Sequence, residues 1–131
     1  MNGALIDSVT TVGAVVVVAM SLFQTLLAMG RPLGHAAFGG EHRVLPKKLR
    51  LVSAISAIVF LLALYLILAR GGFFGATIKS SSIARGGIWF LVTIFALSTL
   101  ANLASHSRWE RYFMAPIALV LVACCTTLAL N

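Results

Sequence analysis

The chain has 131 residues, of which 60% are hydrophobic and 10% are charged. Its ten Lys and Arg residues outnumber three Asp and Glu residues, which gives a formal net charge of +7. An ordinary soluble domain has about 25% charged residues, so this composition excludes a water-soluble globular protein.

Four stretches of the chain contain no Asp, Glu, Lys or Arg: residues 8–30, 51–69, 86–107 and 112–131. Each is close to the roughly 20 residues that a helix needs to cross a hydrocarbon core about 30 Å thick. A backbone in lipid must satisfy its own hydrogen bonds, which leaves helices or closed barrels. Runs such as VGAVVVVAM do not alternate as barrel strands do. We therefore predict a single domain over residues 1–131, an all-α integral membrane bundle of four antiparallel helices at about 5–29, 48–69, 86–105 and 110–130.

The boundaries of the first two helices are predicted from Gly and Pro. The first apolar stretch is too long for an export signal and lacks a basic segment before it, so we interpret it as a retained span. Gly30 is expected to end it, with Pro32 just after. The second helix is expected to begin near Lys47, directly after Pro46.

The boundaries of the last two helices depend on similar signals. Residues 71–87 are predicted to form a loop, because Gly-Gly pairs stand at 71–72 and 86–87. Pro116 is expected within the first turns of the fourth helix, which it either begins or kinks.

Basic residues are divided unevenly between the two sides that four spans define. Seven lie in the connections 31–50 and 106–111, and three lie in residues 70–85. Short cytoplasmic loops carry the excess of Lys and Arg, so we predict that the first two segments are cytoplasmic and that both termini lie outside the cell membrane. Topology and contact with anionic lipid headgroups, about 1 kcal/mol per basic residue, account for this charge, and no nucleic acid partner is expected. The seven are Arg31, Arg43, Lys47, Lys48, Arg50, Arg108 and Arg111, and the three are Arg70, Lys79 and Arg85.

Several polar residues are predicted at one depth near the cytoplasmic ends of the spans. Gln24 lies about one turn from the inner end of the first span. Ser53 and Ser56 lie at a similar depth in the second span, and Asn102 does so in the third. His106 lies close to the floor of this layer. These groups either join the helices through interhelical hydrogen bonds, worth about 0.6 kcal/mol each, or form the floor of a cytoplasm-facing ligand pocket.

Charged residues of the cytoplasmic connections are predicted at the mouth of this pocket: Glu41, Arg50, Arg108 and Glu110. Both glutamates lie among arginines, so ion pairs are expected. The planar guanidinium of Arg50 is suited to bind Glu41, Glu110 or an anionic ligand through two parallel hydrogen bonds.

Asp7 is the one acidic residue close to a predicted span. Carboxylates inside a membrane are candidates for proton or ion relays. Asp7 lies only a few residues from the outer end, so the alternative is an interfacial position near the positive end of the helix dipole.

The cysteines and histidines indicate no metal or redox site. Cys124 and Cys125 are adjacent, so their side chains diverge on a helix, and we interpret them as packing residues. His35, His42 and His106 are predicted on the cytoplasmic side without the spacing of a metal ligand set. We expect no cofactor, no metal and no catalytic residue.

Two segments, FGGEHRVLPKKLRLVSAISAI and NLASHSRWERYFMAP, resemble a group of small four-span bacterial membrane proteins without an assigned activity. The likeness extends over residues 34–123. The resemblance implies a four-span fold and a bacterial origin, and it implies no ligand and no role for any residue.

Three functions follow from this composition. The favoured one is permeation or transport of a small solute or ion, by a homo-oligomer because four short spans enclose little volume. The second is an accessory or scaffold subunit that binds another membrane protein or lipid. The third is an intramembrane enzyme that uses the polar pocket. A continuous path of polar residues would indicate a transporter, and an exposed apolar face would indicate a scaffold. A closed pocket with a titrating group would indicate an enzyme.

Overall fold

The computed structural model describes residues 2–131, which are mainly helical and contain no β-strand. The predicted all-α class is confirmed, and four of the helical segments are long and apolar enough to cross a membrane by length and composition. Two 3-10 turns, Gly34–Ala36 and Phe38–Gly40, lie in the first connection. The α-helices are α1 (Gly3–Ala28), α2 (Lys47–Arg70), the short α3 (Ala76–Lys79), α4 (Ser82–Leu103) and α5 (Ala115–Leu130).

The ends of α1 and α2 follow the Gly and Pro signals. The Asn2 side chain accepts a hydrogen bond of 2.8 Å from the main-chain N–H of Ala4 and so caps α1. Gly30 follows the helix with φ of +86°, a left-handed conformation that Gly adopts at low cost. Pro46 has extended backbone angles and directly precedes α2. The predicted end of α1 and start of α2 are therefore correct to within one or two residues.

The predicted loop at 71–87 is wrong in its second half, because α4 already begins at Ser82. The hydroxyl of Ser81 accepts a hydrogen bond of 3.2 Å from the N–H of Ala84, which caps the helix upstream of the Gly-Gly pair. A Cβ atom on Gly87 would lie 2.6 Å from Cδ2 of Leu66 on α2. Gly87 is thus inside a helix where α2 and α4 approach closely, rather than at a break between elements.

The fourth apolar segment begins with a π-helical turn at Glu110–Met114 and continues as α5. The N–H of Ala115 donates to the carbonyl oxygen of Glu110, five residues earlier. Pro116 has no N–H to complete the ordinary α-helical bond to the fourth residue before it, and its ring crowds that carbonyl group. The widened turn accommodates this crowding, and it places Glu110 at the start of the segment facing inward.

Two sets of hydrogen bonds define the ends of the molecule. At one end, the hydroxyl of Ser107 donates to the carbonyl oxygen of His35, 2.5 Å away, and joins the first connection to the residues after α4. At the other, the guanidinium of Arg70 donates to the carbonyl oxygens of Lys79 and Leu128, at 2.6 and 3.1 Å. We call the first the basic end and the second the α3 end.

All four long helices contribute to one apolar core that lies in the half of the molecule toward the α3 end. It is centred on fully buried side chains such as Val17, Ile67, Ile88 and Leu128. A second, smaller cluster of Leu27, Ala37 and Leu45 fixes the first connection against α1. Between the two clusters, side chains fill the interior less completely, and a cavity remains.

A polar contact also joins α1 and α2. The hydroxyl of Ser21 donates to the carbonyl oxygen of Ala57 at 2.9 Å, and Ser21 is buried. Small residues allow the two helix backbones to come close enough for this bond. The sequence analysis did not identify Ser21 as a residue of this contact.

Candidate functional site

A partly open cavity with a volume of about 240 Å³ lies on the basic-end side of the apolar core. Every long helix contributes to its wall, together with the 3-10 turns of the first connection and the π-helical turn. Five lining residues are polar: Gln24, Ser56, Ser98, Asn102 and Glu110. The others are Met20, Phe23, Ala36, Ala37, Phe38, Phe60, Phe95, Met114, Ile117, Ala118 and Leu121.

Glu110 is the one ionisable residue in the described cavity lining, and it is only 7% exposed. Its Oε1 atom accepts a hydrogen bond of 2.6 Å from the main-chain N–H of Gly39. Its own N–H lies 3.4 Å from the hydroxyl oxygen of Ser107, to which it donates. The first connection and the π-helical turn therefore hold the carboxylate in place from two sides.

The first connection covers the cavity through an irregular backbone. Gly39 and Gly40 have φ values of +79° and +75°, and Phe38 has φ of +50°. Positive φ is uncommon for a residue with a side chain, and a bulky one at such a position is strained. Phe38 lies in the cavity wall, and the hydrogen bond from Gly39 to Glu110 holds the adjacent backbone in this conformation.

The two predicted amides, Gln24 and Asn102, both line the cavity. No hydrogen bond joins their side chains in the described part of the chain, although they share this wall. The Oε1 atom of Gln24 is buried and has no hydrogen-bond partner among residues 2–131. An unsatisfied buried acceptor of this kind is costly, but the atom is enclosed by the surrounding protein and is not accessible from the cavity.

The serines of α2 divide between the cavity and the packing. Ser53, predicted in the polar layer, is fully buried, is absent from the cavity wall, and its hydroxyl has no partner within the described chain. Ser56, predicted in the same layer and three residues further along α2, does line the cavity. Its hydroxyl donates to the carbonyl oxygen of Val52 at 2.9 Å. Helix rotation, which residue depth alone does not define, separates the two.

Most of the charged residues predicted at the mouth do not line the cavity. Glu41, His106 and Arg108 are exposed and do not line the cavity. The Nε atom of Arg50 donates to the carbonyl oxygen of Ala28 at 3.0 Å, which is a main-chain acceptor rather than the expected carboxylate. Of the four residues predicted at the mouth, Glu110 alone lines the cavity among residues 2–131, and it is part of the inner wall.

Arg50 makes a structural contact in place of the predicted pair of parallel hydrogen bonds to a carboxylate or an anionic ligand. Its guanidinium carbon lies 3.3 Å from the position that a Cβ atom on Gly30 would occupy. The last carbonyl groups of a helix have no partner within the helix, and a cation there also complements the helix dipole. Arg50 therefore caps the end of α1 from the first turn of α2.

Asp7 lies far from the cavity, on the exposed surface of α1 toward its beginning. It borders a shallow depression together with Ser8, Thr11 and Val12. Asn2 provides the N-cap, so Asp7 stands in the second turn of the helix rather than at its first residues. The structure places no other ionisable residue in the wall of this depression within the described chain.

The predicted packing role of the two cysteines agrees with their burial, since Cys124 and Cys125 are free thiols inside α5. His35 contacts the ring of Trp109 edge-on, with 5.5 Å between ring centroids. Residues 2–131 contain no cluster of three His, Cys, Asp or Glu residues that could hold a metal ion.

Arg70 is a buried polar residue that the sequence suggested only as one of the basic charges. It is 6% exposed, and its guanidinium donates to the carbonyl oxygens of Lys79, Leu128 and Asn131. Its position at the end of an apolar helix, directly before Gly71, was the available signal. Arg70 joins α2, α3 and α5 at the α3 end.

Comparison of the chain with models of protein families, with curated proteins and with solved structures finds no match.

Proposed function

We propose that this chain is a multi-pass protein of the cell membrane that binds a small solute in the cavity and transports it. In this proposal the four long helices form an antiparallel bundle, and the basic end with its cavity faces the cytoplasm. The protein acts as a homo-oligomer, with the bilayer and its anionic headgroups as surroundings.

The outer surfaces of the helices support insertion into a membrane. In each of the four long apolar helices, between 22% and 33% of an 18-residue apolar stretch is buried inside the protein. Most residues of these stretches therefore keep accessible surface on the outside of the bundle. Leu22, Leu51 and Leu100, for example, are each at least 60% exposed. Water around so much apolar surface is unfavourable, whereas lipid chains are a suitable solvent for it.

The contacts at the two ends support the antiparallel arrangement and its orientation. The hydrogen bond between Ser107 and His35 joins the two connections that contain seven of the ten basic residues. Arg70 holds together the segments at the opposite end. Since short cytoplasmic loops are enriched in Lys and Arg, the basic end is assigned to the cytoplasm and both termini to the outside.

The observation that carries the solute-binding function is the cavity itself. It has five polar residues in a wall that is otherwise apolar, and one of them is a buried carboxylate. Binding sites for small molecules have this character, with a few polar groups placed in a concave apolar surface. The apolar core fills the half of the molecule toward the α3 end, which favours a carrier that opens to one side at a time over a continuous pore.

The proposal is tested with the purified protein in detergent and in proteoliposomes. We expect at least one member of a panel of small solutes to raise the melting temperature and to enter proteoliposomes. Ala118 lines the cavity and is buried, whereas Ala123 is exposed on the same helix. Ala118→Leu should abolish both effects, and Ala123→Leu should retain them. If no solute stabilises the protein or enters the vesicles, the scaffold alternative, which needs no solute in the cavity, replaces the proposal.

A further inference from the structure

On the basis of the proposed solute-binding cavity, we infer that its ligand is a small protonated organic amine, with an ammonium group on an apolar body of about ten non-hydrogen atoms. Glu110 is the counter-ion, and phenylalanine rings surround the apolar body.

The charge of the cavity favours a cation. Glu110 is buried in a wall that contains no Lys or Arg among residues 2–131. The neighbouring arginines of the basic end have other contacts: Arg50 donates to Ala28, and the guanidinium of Arg111 lies 5.6 Å from the ring centroid of Tyr112. A buried carboxylate without a paired cation is unfavourable, so a cationic ligand would supply the positive charge that the cavity wall lacks.

The free oxygen of the Glu110 carboxylate favours an ammonium group that bears hydrogen atoms. Oε1 of Glu110 accepts from Gly39, while Oε2 makes no hydrogen bond within the described chain and is available to a ligand. A protonated amine has a donor for Oε2, whereas a quaternary ammonium ion has none and an anion would face the carboxylate.

The aromatic residues favour an organic cation over a metal ion. Four phenylalanines line the cavity, and the rings of Phe60 and Phe95 are stacked with 6.0 Å between their centroids. The face of an aromatic ring attracts a cation, and its surface suits an apolar ligand body. Hard divalent ions instead take six or more oxygen ligands, for which this wall has too few. The four are Phe23, Phe38, Phe60 and Phe95.

The strained backbone of Phe38 indicates that its ring has a role in this wall. Among residues 2–131 it is the one non-glycine residue with positive φ. Strain of this kind persists where surrounding structure enforces it, and it is concentrated at ligand-binding sites. Here the bond between Gly39 and Glu110 enforces it, so the ring and the counter-ion are positioned by the same contact.

The volume limits the size of the amine. An apolar cavity of about 150 Å³ engineered in another protein holds benzene, which has six non-hydrogen atoms. By proportion, a cavity of about 240 Å³ holds a molecule of roughly ten. A phenylalkylamine has this size and combines an ammonium group with an aromatic body.

The test uses three probes of nearly equal shape: 4-phenylbutylamine, 4-phenylbutanol and 4-phenylbutyrate. Binding to the full chain is measured by calorimetry at neutral pH in phosphatidylcholine nanodiscs, with empty nanodiscs subtracted. We expect the amine to bind at least tenfold more tightly than the alcohol and the butyrate to bind most weakly. This comparison uses the native protein, so it does not depend on the folding of any variant. Equal binding of the three probes, or preferential binding of the butyrate, would overturn the inference.

The assigned counter-ion is tested with Glu110→Gln, which keeps an oxygen acceptor for Gly39 and removes the charge. Glu41→Gln makes the same chemical change at an exposed residue outside the cavity. We expect at least a tenfold loss of amine affinity in Glu110→Gln and a change below twofold in Glu41→Gln, with the alcohol unaffected by either. An equal loss in both variants would mean that bulk charge attracts the amine, and the inference would fail.

The outcomes for the inference and for the proposed function are distinguishable. If the three probes bind equally and Ala118→Leu abolishes their binding, the cavity binds solutes but does not select amines. If no probe binds and no member of the broader solute panel stabilises the protein, the proposed function itself fails. Tight amine binding that survives Ala118→Leu would place the amine outside the cavity and also overturn the inference.

Discussion

The N–H of Gly39 donates a hydrogen bond to the carboxylate of Glu110, at 2.6 Å and across 71 positions of sequence. Each partner lies in an irregular segment: Gly39 in a 3-10 turn with φ of +79°, and Glu110 in a π-helical turn. Neither segment satisfies its backbone in the manner of a regular helix, so each stabilises the other. The contact also determines one wall of the cavity.

Gly39→Ala should destabilise the protein by about 1 kcal/mol, because positive φ is unfavourable for a residue with a Cβ atom. No other atom lies within 4 Å of that Cβ position, so strain is the whole effect. Gly34→Ala should cost more, since its Cβ would overlap the carbonyl oxygen of His42. Thermal unfolding in mild detergent measures both variants. Equal stability of Gly39→Ala and the native chain would contradict the backbone assigned to this turn.

The adjacent glycines of α4 should respond in different ways to the same substitution. A Cβ on Gly86 meets nothing within 4 Å, whereas one on Gly87 meets the side chain of Leu66 at 2.6 Å. Gly86→Ala should therefore stabilise the protein by up to about 1 kcal/mol through helix propensity. Gly87→Ala should be at least about 1 kcal/mol less stable than Gly86→Ala, because α2 and α4 must separate. Unfolding of the two variants under identical conditions gives the comparison, and the reverse order would refute this packing.

Arg70→Met should destabilise the protein by about 3 kcal/mol, because it leaves carbonyl groups at the α3 end without their charged donor. Arg85→Met is the control, since Arg85 is exposed and has no side-chain hydrogen bond in the described part of the chain. Its effect should stay below about 0.5 kcal/mol. The measurement is chemical unfolding in detergent followed by circular dichroism. Similar effects of the two substitutions would contradict the role of Arg70 in joining α2, α3 and α5.

Arg50→Lys should destabilise the protein by about 1 kcal/mol, although the charge is conserved. Lysine lacks the Nε–H that donates to Ala28 and the planar group that lies against Gly30. Lys47 and Lys48 are exposed, so Lys47→Arg and Lys48→Arg should leave the melting temperature unchanged. If the variant that combines Lys47→Arg and Lys48→Arg loses as much stability as Arg50→Lys, the guanidinium of Arg50 has no special role in this segment.

The proposed orientation predicts which introduced cysteines react from outside intact cells. Cysteines that replace Lys48 or Arg108 should be protected from an impermeant thiol reagent, and one that replaces Thr77 should be labelled. All three positions are exposed on the protein surface, so the membrane rather than burial determines the result. Cys124 and Cys125 are replaced by alanine in the background. Labelling at Lys48 and Arg108 with protection at Thr77 would reverse the assignment.

The long helices could be predicted from the sequence because their signal is local. About 20 consecutive apolar residues are sufficient to indicate a span, since every backbone hydrogen bond of a helix is made within the segment itself. The same holds for the end of α1 at Gly30 and the start of α2 after Pro46, where single residues determine the backbone. The start of α4 was predicted too late, because a Gly-Gly pair in a sequence usually indicates a break between elements. The reason for Gly87 is its close contact with Leu66 on α2, which the sequence does not reveal.

The cavity was decided by tertiary structure. Depth along the spans predicted Gln24, Ser53, Ser56 and Asn102 at one level, but it could not distinguish Ser56, which lines the cavity, from Ser53, which is packed away from it. That distinction depends on how each helix is rotated against its neighbours, which interhelical packing determines. Likewise, the charge of Glu110 was visible in the sequence, whereas its burial depends on Gly39, which becomes its neighbour only when the two connections fold against each other.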